Sequence, residues 1–356
     1  MDKIILVLSD IEVGDGSSTD DFIDDDIFCS FIKSYLIKRY NHIPIEIVFN
    51  GDTFDFIKTH YNNCYSRYIT DDISLAKLDS FIKAHPKVFN IIKHFLKKKK
   101  NNVIFIYGNH DPDLAFKSVQ KKLKNLLGDN VIFSGFYYKQ GNVRIEHGSQ
   151  LDSIYRVGSH AVVNYNNRKI LNLPFITYII FEHLVPIKKQ YPLFERVSPK
   201  QMFLKRLPLL SRKFTILNTK YFFKSLRNIV KHKDDPTYML AKGYARRMFF
   251  RIINRRYDVA FDKMVNKFLK KTKGTEILIL GHSHKAKEQN MKNKILINTG
   301  TWRDEYVMSK YNELLKSKGK FFAEVIFTGN KLIGARLIKY KSVNKHVDIK
   351  IFDHFM

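Results

Sequence analysis

Cysteine is nearly missing from this chain: Cys29 and Cys64 are the two among 356 residues, too few for a disulfide framework, and no Cys-x-x-Cys pair is present to hold structural zinc or run redox chemistry. A reducing, cytoplasmic location is the expectation. Acidic residues are scarce beside basic ones, 34 Asp and Glu against 62 Lys and Arg, for a formal net charge of +28. Such a surplus suits nucleic acid, anionic lipid or phosphorylated metabolites, and its sign alone does not choose among them. Long apolar runs are missing too. The longest, residues 170–186, is interrupted by Asn172, Glu182 and His183, which leaves it short of the roughly 20 residues a bilayer span needs, although it could touch a membrane surface. The opening run, residues 4–8, is too short for a signal peptide and reads as a first strand. What is abundant is core material: 44% apolar residues, with 29 Phe and 19 Tyr. Disorder is excluded, and one large or two ordinary domains are expected.

Short β-branched and aromatic runs at 4–8, 45–49, 103–107 and 143–145 alternate with helix-compatible segments at 25–40, 74–99 and 113–127, the middle one divided by Pro86. This is a β-α-β pattern. A second group of strand-like runs, 276–280, 294–297, 321–327 and 332–339, should complete the same sheet system. Between the two groups the alternation stops. Residues 154–273 read as an inserted basic helical subdomain, so the expected division is a discontinuous core, 1–153 and 274–356, around that insertion. Residues 198–273 hold 21 Lys and Arg against 4 Asp and Glu, net +17, whereas the first sixty residues are net acidic. The run of lysines at 97–100 reads as a solvated helix end.

Ionisable residues fall where the strand-like runs end. Ser9-Asp10-Ile11-Glu12, Gly51-Asp52-Thr53-Phe54-Asp55, Gly108-Asn109-His110-Asp111, Glu146-His147-Gly148 and Gly281-His282-Ser283-His284 each follow one. In open α/β sheets the ligand crevice lies beyond the carboxyl ends of the strands, so these clusters should converge. A packed interior cannot hold so many carboxylates, an amide and imidazoles unless something satisfies them, and divalent metal is the simplest answer. Oxygen ligands mixed with His nitrogens, without thiolates, suit Mn, Fe, Zn or Mg. Asp15, Asp20 and Asp21, in the loop that follows, read as a solvated acidic stretch.

In order and spacing these segments resemble the motifs of the calcineurin-like metallophosphoesterase superfamily: D-x-H, G-D-x-x-D, G-N-H-D, a lone His before Gly, and G-H-x-H. The resemblance covers roughly residues 1–152 and 275–340. It implies a four-layer α/β sandwich, two mixed β-sheets flanked by helices, with an α-helical lid formed by the insertion. It also implies hydrolysis of a phosphoester or pyrophosphate at a dinuclear centre with a bridging hydroxide. Carried over, Asp10 and His284 hold one metal, Asn109, His147 and His282 hold the other, and Asp52 bridges them. His110 is then the imidazole beside the metals that assists the leaving oxygen, and Asp111 orients it. The departure is Glu12, where the pattern has His. As a ligand it adds a third carboxylate beside Asp10 and Asp52 and favours harder ions, so two Mn ions are expected, with Mg, Fe or Zn as alternatives.

Within the superfamily the chain looks most like the branch containing UDP-2,3-diacylglucosamine pyrophosphohydrolase, on the strength of His147-Gly148 with Asp152 and of Asn298-Thr299-Gly300-Thr301-Trp302. A nucleotide-sugar or lipid-linked substrate is the corresponding expectation. The insertion's Lys205-Arg206, Arg246-Arg247, Arg251 and Arg255-Arg256 would serve such a phosphorylated amphiphile, or bring the protein to the inner surface of an anionic membrane. Two other readings stand beside this one: a nuclease of the DNA-repair type that tracks phosphates with the basic segment, and a non-catalytic scaffold whose metal site is altered at Glu12. No obligate protein partner is evident.

Overall fold

Alternation of side chains along two sheets builds the layers. The computed structural model describes residues 2–37, 40, 42–247, 257–308, 314–340 and 346–348. The first sheet has the order Lys331–Tyr340, Lys320–Thr328, Lys3–Leu8, Ile45–Asn50, Asn102–Ile106, Val131–Phe133. Its last four strands are mutually parallel and its first two add antiparallel. The second sheet runs Lys287–Met291, Lys294–Asn298, Ile277–Leu280, Val143–Glu146, Tyr137–Gln140, with a parallel centre and antiparallel outer strands.

Period-2 side-chain placement assigns each strand residue to a layer. Ile5, Val7, Val48, Ile104 and Ile106 of the first sheet meet Val143, Ile145, Ile277, Ile279 and Ile297 of the second in one buried cluster. The opposite face of the first sheet, with Ile4, Leu6, Leu8, Ile47 and Phe49, packs on Leu78 and Phe81 of helix Asp71–Ala84, Phe89 and Ile92 of helix Pro86–Leu96, and Val119 and Leu123 of helix Lys117–Leu127. The outer face of the second sheet, Leu278, Leu280 and Leu296, packs on Phe261, Val265 and Leu269 of helix Tyr257–Lys271. Each such buried side chain contributes about 1.5–3 kcal/mol relative to exposure. Four layers result, as the sequence leads one to expect. Pro86 does divide the second helical region, standing at the first position of the new helix, where its missing N–H costs nothing. The first helical region, expected at 25–40, is helical from Asp25 to Ile37, helix Asp25–Ser30 passing into a π-helical stretch, Phe31–Ile37, and 38–39 lie outside the described residues.

The segment expected to be a helical lid is more closely knitted to the core than that. Hairpin strands Val162–Tyr165 and Arg168–Leu171 lie within it. Its strand Val197–Ser198 pairs in parallel with Tyr306–Met308 as part of a third sheet. The apolar run at 170–186 is not left for a membrane: Ile170, Leu171, Phe175, Tyr178, Phe181 and Val185 are buried. Helix Tyr257–Lys271, inside the expected insertion, is itself the fourth layer, so neither boundary of that insertion marks a break in packing. Arg251, Arg255 and Arg256 lie outside the described residues. Among the described residues, no helix is long and apolar enough to cross a membrane.

Candidate metal centre

All five ligand-bearing segments leave their strands at one edge. Asp10 and Glu12 follow Lys3–Leu8, Asp52 follows Ile45–Asn50, Asn109 follows Asn102–Ile106, His147 follows Val143–Glu146, and His282 and His284 follow Ile277–Leu280. Both sheets contribute. The backbone is turned sharply here, with Asp10, Glu12, Asp52, His282 and His284 all at positive φ, between 49° and 65°. Conformations of this kind cost about 1–3 kcal/mol each and persist where the surroundings over-determine them. Loop-to-loop hydrogen bonds do so: Asp10 N–H donates to Gly51 O, Glu12 N–H to Asp52 O, and Gly281 N–H to His147 O. Glycine is required where carboxylates press against the backbone. A Cβ on Gly108 would lie 2.0 Å from Asp52 Oδ1, and one on Gly281 would lie 2.4 Å from Asp10 Oδ2.

The side chains then meet. His147 Nε2 lies 3.1 Å from Asp52 Oδ2, 3.3 Å from Asn109 Oδ1 and 3.9 Å from Asp10 Oδ1. On the other side, His284 Nε2 is 3.0 Å from Asp10 Oδ1 and 3.6 Å from Glu12 Oε1. His147 Nδ1 bonds the Asn50 carbonyl and His284 Nδ1 bonds Glu305, leaving each Nε2 directed at the carboxylates, the arrangement by which outer partners fix a metal-binding imidazole. Asp10 Oδ1 is buried yet accepts no hydrogen bond among the described residues. His282 stands against His147, ring centroids 5.3 Å apart, with Asp152 3.9 Å from its Nε2. It joins none of the His and carboxylate groups whose ligand atoms fall within 4.8 Å of one another among the described residues.

Electrostatics describe a site short of positive charge. Burial disfavours the charged form of His147, but Asp52 and Asp10 outweigh it and raise the imidazole to about 10. His110 is raised to about 9 against burial by Asp52, Asp55 and Glu12. His284, opposed by burial and Arg303, is brought to about 9 by Asp10 and Glu305. His282, by contrast, is lowered by burial, and by His147 beside it, toward the neutral imidazole that a metal requires. The donor set fits divalent ions: Asp10, Asp52 and His284 with Glu12 on one side, and Asp52, Asn109 and His147 with His282 beside them on the other.

Glu12 is more than a substituted ligand. Arg303 Nη1 donates to both its oxygens, at 3.0 and 2.9 Å, and Lys58 Nζ donates to Oε2 at 2.7 Å. Burial opposes its charge, yet Arg303 and Lys58 hold its carboxyl well below the usual range. Lys58, fully buried, also meets Asp21 and Asp55 at 2.7 Å each, so its ammonium sits in a cage of three carboxylates. Lys188 and Arg196, from the insertion, reach the same Asp21. The extra negative charge of Glu12 is thereby offset inside the protein.

Two sequence expectations change. The carboxylate that holds His110 is Asp55, whose Oδ1 is 2.9 Å from Nδ1, whereas Asp111 accepts from the backbone N–H groups of Asp52, Thr53 and Gly108 and so shapes the loops. Second, Asp20 and Asp21 are buried rather than solvated: Asp20 pairs with His85, and Asp21 with Lys58 and Lys188. Lys58, Glu305 and Arg303 were invisible as site residues. Position alone hints at them: Lys58 follows Asp55 by three residues, and Arg303 and Glu305 follow Trp302, but nothing distinguishes the two cations, or the glutamate, from others of their kind in the chain.

The family described as calcineurin-like phosphoesterase matches residues 4–286. No curated protein matches. Among solved structures, the chain is similar to one described as a 5'-nucleotidase of Staphylococcus aureus, at 12% identity and TM-score 0.34, over 99% of this chain and 57% of that one. It thus spans little more than half of that protein. It is also similar to a dimetal phosphatase of Danio rerio, at 12% identity and TM-score 0.34 over 95% and 99% of the two chains, and to a Vps29 variant of Entamoeba histolytica, at 10% identity and TM-score 0.23 over 95% and 99%.

Proposed function

Since this chain belongs to the calcineurin-like phosphoesterase family, whose members are metal-dependent hydrolases of phosphoester bonds, we propose that it hydrolyses a phosphoester or pyrophosphate at a dinuclear centre bridged by Asp52. The observation that supports this reading is that Asp52 lies 3.1 Å from His147 Nε2 and falls into one group with Asp10 and His147 and another with Glu12 and His110. When bound, two divalent ions would activate water and neutralise charge on the phosphoryl group. The chain's own residues do the rest. His110, anchored by Asp55 through Nδ1 and by its backbone N–H to Asp52 Oδ1 at 2.7 Å, keeps Nε2 for a phosphoryl or leaving oxygen. Glu12 takes the place of a neutral imidazole because Lys58 and Arg303 balance its charge. The insertion supports a phosphorylated amphiphile as substrate, in keeping with the nucleotide-sugar or lipid-linked class: Tyr155 and Phe261 line His282, beside Arg247 on Asp152.

Metal-stripped protein titrated with Mn, Mg or Zn should hydrolyse bis-p-nitrophenyl phosphate or p-nitrophenyl phosphate, with Mn most effective. Asp52→Ala and His110→Ala should abolish turnover while keeping the thermal transition. Full activity in either variant refutes the assignment. Metal-dependent cleavage of DNA, with salt-steep binding, would favour the nuclease reading, and silence with every metal and substrate would favour the scaffold.

A further inference from the structure

Helix Pro208–Lys231 carries an apolar line that stays largely exposed among the described residues. Leu209, Ile216, Phe223 and Val230 recur every seven residues and are 70%, 44%, 65% and 68% exposed. Seven residues are close to two helical turns, so the four lie nearly in register along one side over the whole helix. The helix is already anchored elsewhere. Leu210 is buried with Phe203, Phe194 and Leu315, Leu217 packs on that cluster, and Ile229 packs on the main core.

Charge decides what would cover it. The helix contains Arg212, Lys213, Lys220, Lys224, Arg227 and Lys231 and not one Asp or Glu. Arg212, Lys213, Lys220 and Arg227 are exposed like the apolar line they flank. A groove of about 450 Å³ opens at the start of the line, where Lys205, Ser211, Arg212, Thr215 and Ile216 meet. A second copy of the chain would set this cationic helix against its like: the helix itself offers no Asp or Glu, and Glu182 beside it is already engaged by Lys224 at 2.8 Å. Nucleic acid would satisfy the cations but leave Leu, Ile and Val in water, since aliphatic side chains offer no face on which bases stack. An anionic lipid surface satisfies both features: headgroups for the cations and the acyl boundary for the apolar line.

We propose that helix Pro208–Lys231 docks the protein, lying flat, on the surface of an anionic membrane through Leu209, Ile216, Phe223 and Val230 and the lysines and arginines beside them. The mode is interfacial rather than spanning, consistent with a helix too polar to cross a bilayer. The proposal does not depend on the phosphoesterase reading, because the stripe stands apart from the metal ligands.

Co-sedimentation of the full chain with vesicles of phosphatidylcholine, with and without phosphatidylglycerol, tests it. Binding should require phosphatidylglycerol and fall with salt. An Ile216→Glu/Phe223→Glu variant should lose at least tenfold in vesicle affinity, as should Arg212→Gln/Lys213→Gln/Lys220→Gln, the latter with a shallower salt dependence. Both should keep the native thermal transition, since the changed side chains are exposed. An Ile216→Ser/Phe223→Ser variant guards against a folding defect and should lose affinity in the same direction. Absence of binding to anionic vesicles overturns the proposal, as does unchanged binding by the apolar variants. A dimer in sedimentation equilibrium that Ile216→Glu/Phe223→Glu dissociates would assign the face to a second copy instead. Tight duplex DNA binding sensitive only to the cation variant would assign it to nucleic acid.

Discussion

Replacing Lys58 with Met removes one ammonium from the three carboxylates it touches and from Glu195, 3.7 Å away, which keeps Lys188 at 3.5 Å. In the native protein Nζ is 2.7 Å from Glu12, Asp21 and Asp55, all buried. Without it, Glu12 keeps Arg303 at 2.9 Å, Asp21 keeps Lys188, and Asp55 retains His110 at 2.9 Å. Removing one partner of a buried ion pair typically costs about 3–5 kcal/mol. Because every carboxylate keeps one cationic neighbour, the lower end, about 3 kcal/mol, is expected. That is a large fraction of the roughly 5–15 kcal/mol that stabilises a domain. The same geometry predicts a rescue. Ligand oxygens of Glu12, Asp21 and Asp55 lie within 4.8 Å of one another, so a divalent ion can take the ammonium's place. Mass action then restores about 2.7 kcal/mol at a free metal concentration 100 times its dissociation constant. Thermal and urea unfolding should be measured in EDTA and across a Mg or Mn titration, in an Asp52→Asn background so that the main centre contributes least. Lys58→Met should be strongly destabilised in EDTA and regain stability with metal more steeply than its Lys58 parent. A variant that unfolds with the parent in EDTA, or ignores metal, refutes the cage.

Glu12→His, which brings the first motif to the family pattern, should not improve the protein: Lys58 and Arg303 lose a shared carboxylate, and chemical denaturation should show a loss of about 2–4 kcal/mol. Asp55→Asn should reduce kcat by about tenfold or more with little change in KM, because it loosens His110, and should also lower stability because Lys58 loses a buried carboxylate, whereas Asp111→Asn should lower thermal stability, by weakening the N–H contacts of Thr53 and Gly108, with a smaller fall in kcat. Steady-state kinetics beside melting curves separate the two. His85 supplies a pH-dependent contribution. Burial lowers its affinity for a proton, but hydrogen bonds to Asp20 and Asp25 and their charges outweigh this and raise it above the ordinary 6.5. The contribution is fully present below that pH and is lost as pH rises through the folded value, so His85→Gln should destabilise the protein more at pH 5.5 than at pH 8.5. Equal loss at both contradicts the assignment.

The core was legible because strand-forming runs and polar strand ends are local signals. Residues 4–8 become Lys3–Leu8, residues 103–107 become Asn102–Ile106, and each is followed by the candidate ligands its motif announces. The first helical region is legible from its apolar spacing over Asp25–Ile37, but nothing in that spacing marks where the backbone widens into a π-helical stretch at Phe31–Ile37. The insertion was read as helical because its cations and aromatics carry no alternation, yet Val197–Ser198 gains its strand conformation from pairing with Tyr306–Met308, more than a hundred residues away. The same limit hid the partners of Glu12. A buried lysine and a surface lysine look alike in a chain of 62 Lys and Arg, and Arg303 becomes a site residue only when the fold carries it back to Glu12.

The central claim, that Asp52 is shared by two divalent ions, is tested most directly by counting metal. Protein dialysed against Mn and then freed of excess should carry two equivalents per chain by elemental analysis, and anomalous diffraction at the Mn edge should place both beside Asp52, one toward His284 and one toward His147. Asp52→Asn should lose at least one of them. Two equivalents retained in that variant, or native protein that binds none, would contradict the account.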